Sequence, residues 1–288
     1  MGLERKLETA LANLIIKAET KLPSDVLEAL KRAYLREKSK LGRSQLKLML
    51  ENAKLAEKER IPICQDTGTI NFFVRFGKEF SLKFNLKELA VKAVRRATAE
   101  VPLRPSIVHP LSRANSNDNT GVLIPYLHLE LTKGDCMEVT VSPKGAGTEN
   151  LSAFKNFNPS EGVEAVKAFV LTVAAERIGK GCPPGRIGLG IGGTAEVAQI
   201  LSKKALLRPV GKRHQEPEIA KLEEETLGLI NRLGIGPMGL GGAVTALDVS
   251  AEYAGCHTAS LPVAVSFQCW ADRRASLRVY GSGEVEEI

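Results

Sequence analysis

Aromatic residues are scarce in this sequence of 288 residues. Phe, Trp and Tyr together account for 5% of it. No tract rich in Lys and Arg is interleaved with aromatic residues, so we do not expect a surface on which nucleic-acid bases stack. The net charge of +7 comes from 40 basic and 33 acidic residues. Because basic surfaces also attract small anions, the charge is compatible with a small anionic substrate, whereas nucleic acid is not an expected partner.

The sequence also has no long apolar run. No segment approaches the ~18 consecutive apolar residues that a membrane-spanning helix needs. The first six residues carry mixed charges and lack the apolar core of a secretion signal. The hydrophobic content of 43% is ordinary for a globular chain that buries a substantial core. We therefore expect a cytoplasmic protein that has no membrane partner.

Cysteine pairs of the C-x-x-C type are absent. The sequence has five cysteines, which are Cys64, Cys136, Cys182, Cys256 and Cys269. The odd number argues against a disulfide framework. The missing C-x-x-C pair argues against a zinc site or a ferredoxin-type cluster built from local sequence. Three distant thiolates can still bind a [4Fe–4S] cluster if the fold brings them together, but cysteines that act as small buried hydrophobic residues are common. Spacing alone leaves both interpretations open.

Helical periodicity dominates residues 1–60. Leucines recur at helical spacing in the first twenty residues, and further helices are predicted over 26–36 and 45–58. We expect a break at 42–44 before the third of these helices, because the segment begins with a glycine. Pro62 is expected to end the helical region.

The remaining sequence alternates between helix and strand signals. An apolar strand is predicted from about residue 70 to 76, and the runs 123–131 and 137–142 predict a hairpin. Helices are predicted over residues 86–100, 161–178, 195–204 and 218–233, with strands in the last forty residues. No linker divides the chain. We predict one mixed α/β (α+β) domain over 1–288, in which the helical region 1–60 packs on a sheet-containing core, 61–288.

A glycine run at 188–193 matches the G-x-G-x-x-G pattern of dinucleotide-binding sites. Pro183 and Pro184 lie too close before it for a complete buried strand, and the basic residues at 212–214 occupy the region where a second strand should end in Asp or Glu. The glycines are better explained by a strand that approaches its neighbour closely. A nucleotide-dependent oxidoreductase is therefore only an alternative.

The stretch 62–69 combines three kinds of chemistry in one turn. The thiol of Cys64, the amide of Gln65 and the carboxylate of Asp66 are adjacent, and Gly68 closes the turn. A structural turn rarely needs all three groups. The plainer interpretation is a core cysteine beside an Asx turn.

Four blocks of the sequence resemble the class I, iron–sulfur fumarate hydratases. They are residues 63–68 (ICQDTG), 144–150 (KGAGTEN), 181–184 (GCPP) and 257–269, which begins HTASLPVA and ends at a cysteine. More narrowly, the chain resembles the alpha subunit of the two-subunit fumarases and L(+)-tartrate dehydratases. The resemblance runs from about residue 10 to 275 and implies that loops hold a [4Fe–4S] cluster.

The resemblance also implies the cluster ligands. Cys64, Cys182 and Cys269 match the three cysteines that bind the cluster in that family. Cys256 matches no ligand and is interpreted as a structural thiol. A cluster that has three protein ligands leaves one iron open as a Lewis acid.

The same resemblance assigns the substrate site. Gln65, Asp66, Arg104 and Gly147 match substrate-contacting positions, and His257 matches the active-site histidine. An arginine between two prolines can pair bidentately with a carboxylate at low entropic cost, although without the family a surface ion pair would be the favoured explanation for Arg104. His257 would otherwise be interpreted as a core histidine. Asp66, next to a ligand, is suited to handle a proton of the reacting hydroxyl.

The function implied is that of a hydro-lyase that reversibly hydrates fumarate to (S)-malate. The alternative is an L(+)-tartrate dehydratase alpha subunit that gives oxaloacetate. A beta subunit would carry the second half of the active site, including the base that removes the carbon-bound proton, and the assembly is expected to be a dimer of alpha–beta pairs. A cluster-free regulatory or binding subunit is a further alternative.

Overall fold

The computed structural model describes residues 3–82 and 84–288, and the two residues before Leu3 in the predicted helical region lie outside it. The helices are α1 (Leu3–Thr20), α2 (Ser24–Arg36), α3 (Lys40–Glu59), α4 (Leu86–Glu100), α5 (Ala146–Glu149), α6 (Gly162–Arg177), α7 (Ala195–Ala205) and α8 (Pro217–Arg232). The strands are β1 (Thr69–Gly77), β2 (Tyr126–Thr132), β3 (Cys136–Lys144), β4 (Ala153–Phe157), β5 (Gly185–Gly192), β6 (Ala246–Ala254), β7 (Leu261–Gln268), β8 (Ala275–Tyr280) and β9 (Val285–Glu287). The prediction of a mixed α/β fold is confirmed.

The chain forms two compact units, each built from separate stretches of sequence. The first unit contains Met1–Pro23, Asn52–Ala146 and Arg273–Ile288, and the second contains Ser24–Glu51 and Gly147–Asp272. Because the chain passes between the units several times, no single linker marks a boundary in the sequence. The interpretation of 1–288 as one functional domain stays a prediction.

The first unit is a mixed five-stranded sheet in the order β2-β1-β3-β8-β9. Strand β2 runs parallel to β1, and the other neighbours are antiparallel. Helices α1 and α4 pack on one face, where alternate side chains such as Phe72, Val74 and Val139 are almost fully buried. Helix α1 thus packs on a sheet, as predicted for the helical region.

The predicted hairpin of residues 123–131 and 137–142 is wrong. The two segments form β2 and β3, but β1 lies between them and pairs with both. Strand β1 is largely buried, and its Phe73 ring stacks on His128 of β2 at a centroid distance of 4.5 Å. Because β1 is central, the backbone N–H and C=O groups on both of its edges form hydrogen bonds with neighbouring strands. If β2 and β3 had paired directly with each other as a hairpin, one edge of this apolar strand would have been left without hydrogen-bond partners.

The predicted break at 42–44 is also wrong, because α3 begins at Lys40 and continues through these residues. Ser39 caps this end, since its side-chain oxygen accepts a hydrogen bond from the Gly42 amide at 3.2 Å. A Cβ at Gly42 would lie 3.0 Å from the Glu37 side chain and 3.2 Å from Pro237. The glycine therefore allows close packing and does not end the helix. No helix among the described residues is long and apolar enough to cross a membrane.

The second unit contains a four-stranded sheet in the order β4-β7-β5-β6. Its core joins this sheet to α6 and α8 through buried residues such as Val170, Ile187 and Phe267. The glycines of β5 allow α7 to approach: a Cβ at Gly188 would lie 2.0 Å from the Ser202 carbonyl oxygen, and one at Gly190 would lie 1.9 Å from that of Ala198. The explanation of the glycine run by close packing is confirmed.

Candidate active site

The turn at 63–68 lies between α3 and β1 in the first unit. Its first residue, Ile63, is buried, and both its backbone N–H and its backbone C=O form hydrogen bonds. The Ile63 amide donates to the carbonyl oxygen of Glu19, at the end of α1, at 2.9 Å. The Asn52 side chain of α3 donates to the Ile63 carbonyl oxygen at 2.8 Å. The backbone that leads into Cys64 is therefore fixed by two helices.

Asp66 is held through its carboxylate and through its backbone. Its Oδ2 accepts a hydrogen bond from the Ala146 amide at 2.8 Å, and its carbonyl oxygen accepts one from Nη2 of Arg273 at 2.9 Å. Gly68, with φ +74°, lies so close to β3 that a Cβ would be 2.4 Å from the Lys144 carbonyl oxygen. The first unit thus brings the 63–68 block against residues 144–146 of the second motif.

A buried ion pair supports this turn. Nη1 of Arg273 lies 2.5 Å from Oε2 of Glu19, and the two side chains are 3% and 0% exposed. Burial raises the pKa of Glu19 and outweighs the attraction of Arg273, which gives a pKa of about 7 in place of 4.5. Sequence reasoning missed both residues. The sequence carries no signal for a pair that is 254 positions apart.

Arg104 is exposed, and its backbone contacts the turn. The Thr67 hydroxyl donates to the carbonyl oxygen of Arg104 at 3.3 Å, while the preceding residue, Leu103, is buried. The first unit therefore places the predicted carboxylate-binding arginine next to the turn of Gln65, which is also exposed. The predicted roles of Gln65 and Arg104 in binding substrate stay predictions.

Two predicted ligands lie on adjoining loops of the second unit. The Trp270 amide, directly after Cys269, donates to the carbonyl oxygen of Cys182 at 3.2 Å. Cys182 is exposed and has a φ of +52°. Positive φ is uncommon for a residue other than glycine, and such backbone is concentrated at functional sites. The carbonyl oxygen of Pro183 accepts from the Met238 amide at 2.7 Å, which fixes the loop on its other side.

His257 and Gly147 are exposed in the second unit. Nδ1 of His257 accepts a hydrogen bond from the Ala259 amide at 3.1 Å, so the neutral ring carries its proton on Nε2. The exposure of His257 does not agree with a core histidine. Gly147 has open space around its Cα, since a Cβ there would meet no atom within 4 Å.

The fit of the chain to an iron–sulfur cluster depends on its thiols. None of the five cysteines forms a disulfide, and neither Cys64 nor Cys269 is fully buried. Free thiols in loops are the donor type that such clusters use. No group of three or more His, Cys, Asp or Glu side chains within 3–82 and 84–288 is placed to hold a metal ion. Cys64 belongs to the first unit and the other two predicted ligands to the second, so the ligand set stays a prediction.

Comparison with known proteins identifies the family. Residues 8–278 match the model of the family described as fumarate hydratase (Fumerase). The chain belongs to the fumarate hydratase family.

Individual relatives are similar over nearly the whole chain. A protein of Methanocaldococcus jannaschii, provisionally named L(+)-tartrate dehydratase subunit alpha, is 49% identical over 278 residues, which cover 95% of this chain and 98% of that protein. The L(+)-tartrate dehydratase subunit alpha of Escherichia coli strain UTI89 is 38% identical over 98% of this chain and 94% of its own length. That of Shigella sonnei strain Ss046 is 37% identical over the same shares. The family and these names support a hydro-lyase, and the resemblance drawn from the four motifs is confirmed.

Proposed function

We propose that this chain is the alpha subunit of a [4Fe–4S]-dependent hydro-lyase that reversibly hydrates fumarate to (S)-malate. The observation that carries the proposal is the turn at 64–66, where a thiol, an amide and a carboxylate are adjacent. The hydrogen bond from Ala146 to Asp66 holds this turn against the 144–146 segment at 2.8 Å. Family membership over residues 8–278 agrees with this chemistry.

The proposed cluster ligands are Cys64, Cys182 and Cys269. A [4Fe–4S] cluster bound by three thiolates supplies an open iron that acts as a Lewis acid toward a hydroxyl and a carboxylate. The hydrogen bond between Trp270 and Cys182 supports the two ligands of the second unit, because it joins their loops. Free thiols also favour a reducing compartment, which supports the proposed cytoplasmic location.

The other proposed residues bind the substrate and transfer protons. The Arg104 guanidinium pairs with one substrate carboxylate, and the Gln65 amide orients the substrate beside it. The backbone of Gly147 contacts the substrate, and Nε2–H of His257 is a donor at the same site. During dehydration the carbon–oxygen and carbon–hydrogen bonds break, and Asp66 gives a proton to the departing hydroxyl, which leaves as water. The base that takes the carbon-bound proton is assigned to a partner subunit.

A beta subunit is the proposed partner, in a dimer of alpha–beta pairs. The relatives from Escherichia coli and Shigella sonnei are named as alpha subunits. The names of the same relatives favour a second candidate function, which is dehydration of L(+)-tartrate to oxaloacetate. The two candidate activities use the same class of substrate, a four-carbon dicarboxylate.

The cluster is tested by iron and sulfide analysis, together with EPR spectroscopy, of protein purified without oxygen. We expect wild type to contain iron and sulfide in equal amounts and Cys182→Ala to lose the cluster. Cys256→Ala is the matched control, since Cys256 is also an exposed cysteine that forms no disulfide, and this variant is expected to retain the cluster. Full retention in Cys182→Ala would overturn the ligand assignment, and iron-free wild type would favour a cluster-free binding or regulatory subunit.

The substrate is tested on the complex with the beta subunit by comparing kcat/KM for fumarate, malate and L(+)-tartrate. A clear preference for fumarate and malate supports the first candidate, and a preference for tartrate supports the second. If the cluster-loaded complex converts none of the three, the hydro-lyase proposal fails.

A further inference from the structure

We propose that Arg273 is a positioning residue for Asp66 and that the buried carboxylate of Glu19 holds Arg273 in place. The inference rests on the proposed function, in which Asp66 transfers a proton. Neither Glu19 nor Arg273 belongs to the residues that the motifs select. Arg273 donates a hydrogen bond to the backbone carbonyl oxygen of Asp66 at 2.9 Å, so its proposed effect on the reaction passes through the position of Asp66.

Two donors of one guanidinium connect the ion pair to the turn. Nη1 of Arg273 donates to Glu19 at 2.5 Å, and Nη2 donates to the carbonyl oxygen of Asp66 at 2.9 Å. The planar guanidinium of arginine fixes the directions of both hydrogen bonds at once. The single ammonium group of lysine does not reproduce this geometry. The choice of an arginine at this position is therefore explained by the two contacts together.

Glu19 is connected to the turn at both ends of the Cys64–Gln65 segment. Its carbonyl oxygen accepts from the amide of Ile63 at 2.9 Å, and its carboxylate reaches Asp66 through Arg273. One residue in the last turn of α1 thereby fixes the backbone before the proposed ligand and the backbone after Gln65. Oε1 of Glu19 has no hydrogen-bond partner among the described residues. A buried carboxylate so incompletely satisfied is costly for stability, which argues that the pair is retained for the geometry of the turn.

The position of the Asp66 carboxylate follows from this backbone. With its carbonyl oxygen held by Arg273, the Asp66 side chain extends to the Ala146 amide, and its Oδ2 lies 2.8 Å from that nitrogen. If Arg273 loses its second contact, the peptide that follows Asp66 can rotate, and the carboxylate moves with it. A displacement of about 1 Å from the productive geometry can cost about 100-fold in rate.

The second unit offers a matched control for a purely structural role. Arg208 pairs with the fully buried Glu223 at 2.5 Å and also donates to a backbone carbonyl oxygen, that of Ala251, at 2.5 Å. Like Arg273, Arg208 joins a buried glutamate to a backbone carbonyl oxygen, and it also pairs with Glu252 at 2.5 Å. None of these three partners is a candidate site residue. Arg208→Lys therefore measures what the loss of such a fork costs in stability alone.

The test compares Arg273→Lys and Arg208→Lys in the cluster-loaded complex with the beta subunit. We expect Arg273→Lys to lower kcat by about 10- to 100-fold while KM changes by less than about threefold and the iron content is unchanged. Arg208→Lys should lower the melting temperature without changing kcat. Glu19→Gln, which keeps an acceptor for Arg273, should lower kcat less than Arg273→Lys. Equal losses of kcat in both lysine variants, or none in Arg273→Lys, would overturn the proposal.

Amide hydrogen exchange gives a readout that does not depend on activity. Under native conditions Arg273→Lys should speed exchange at 63–68 and 144–146, whereas Arg208→Lys should not. Unchanged exchange at these segments in Arg273→Lys would overturn the positioning role even in an active complex. If wild type converts no substrate but exchange changes as expected, the proposed function fails and the positioning of the turn by Arg273 stands.

Discussion

At Gly145 the backbone passes so close to Asp66 that a methyl group would reach the carboxylate. A Cβ there would lie 2.9 Å from Oδ2 of Asp66. Gly145→Ala should therefore displace the Asp66 side chain and weaken its hydrogen bond to Ala146. We expect a loss of stability of about 1–3 kcal/mol, the usual cost of overpacking, together with a lower kcat of the complex. Thermal unfolding and steady-state kinetics measure the two effects.

Gly281→Ala is the control for this substitution in the same unit. The nearest atom to a Cβ at Gly281 is the Asp135 carbonyl oxygen at 3.7 Å, an ordinary contact distance. This variant should keep both stability and kcat close to wild type. If Gly145→Ala behaves in the same way, the carboxylate has room to move and the tight contact does not control its position.

The candidate site residues were easier to predict than the residues that hold them in place. Cys64, Gln65 and Asp66 are adjacent in sequence, so their combination of thiol, amide and carboxylate is visible without a structure. The support from Glu19 and Arg273 could not be predicted, since the pair is 254 positions apart and each residue alone resembles an ordinary surface charge. Only the fold, which joins α1 to the segment before β8, creates the ion pair.

At the scale of elements, Glu37 joins the end of α2 to the segment before β6. Its carboxylate oxygens accept hydrogen bonds from the amides of Ser39 at 2.9 Å, Ala243 at 2.9 Å and Val244 at 3.0 Å. Burial raises the pKa of Glu37, but these backbone amides lower it more, so the net pKa lies below the ordinary 4.5. The carboxylate therefore stabilises the second unit in its ionised form.

The sign of this shift predicts how stability depends on pH. Because the folded-state pKa is depressed, the contribution of Glu37 is fully present above the unfolded value of 4.5 and is lost as the pH falls through the folded value. Glu37→Gln replaces an acceptor by an NH2 donor and should cost about 2 kcal/mol at pH 7. The difference in unfolding free energy between wild type and variant should shrink toward pH 3.

Denaturant unfolding at several pH values measures this difference. Glu28→Gln on α2 is the control, because Glu28 is exposed and pairs with Lys31 across one helical turn. That variant should leave the unfolding free energy near that of wild type. A cost for Glu37→Gln that is constant from pH 7 to pH 3 would contradict the role of the ionised carboxylate.

Helices and strands were predicted well where the spacing of apolar residues determines them. The arrangement of the strands, which depends on how they pair, was predicted poorly. Helix α4 has the predicted bounds, 86–100, because its apolar stripe and its Asn85 cap are local signals. Strands β2 and β3 were also expected, but local sequence does not show that β1 is inserted between them. Gly42 was misinterpreted for a related reason, since its close neighbour Pro237 is almost two hundred positions away. Each of these predictions was wrong because it depended on contacts between segments that are distant in the sequence.

At the scale of the molecule, the candidate residues are divided between the two units. Gln65, Asp66 and Arg104 belong to the first, and Gly147 and His257 belong to the second. In the proposed function these residues bind the dicarboxylate and move a proton of the reacting hydroxyl, and the base for the carbon-bound proton is assigned to none of them. The proposal therefore places this base on the partner subunit.

The isolated chain should accordingly bind the cluster but should not turn over substrate. We expect the anaerobically reconstituted polypeptide to show the iron content of the complex and, after chemical reduction, its EPR signal, with no conversion of fumarate or L(+)-tartrate above background. Adding the beta subunit should restore turnover without further iron, because the partner completes the proton transfer and not the cluster. Turnover by the isolated chain at the rate of the complex would show that this chain carries the missing base itself.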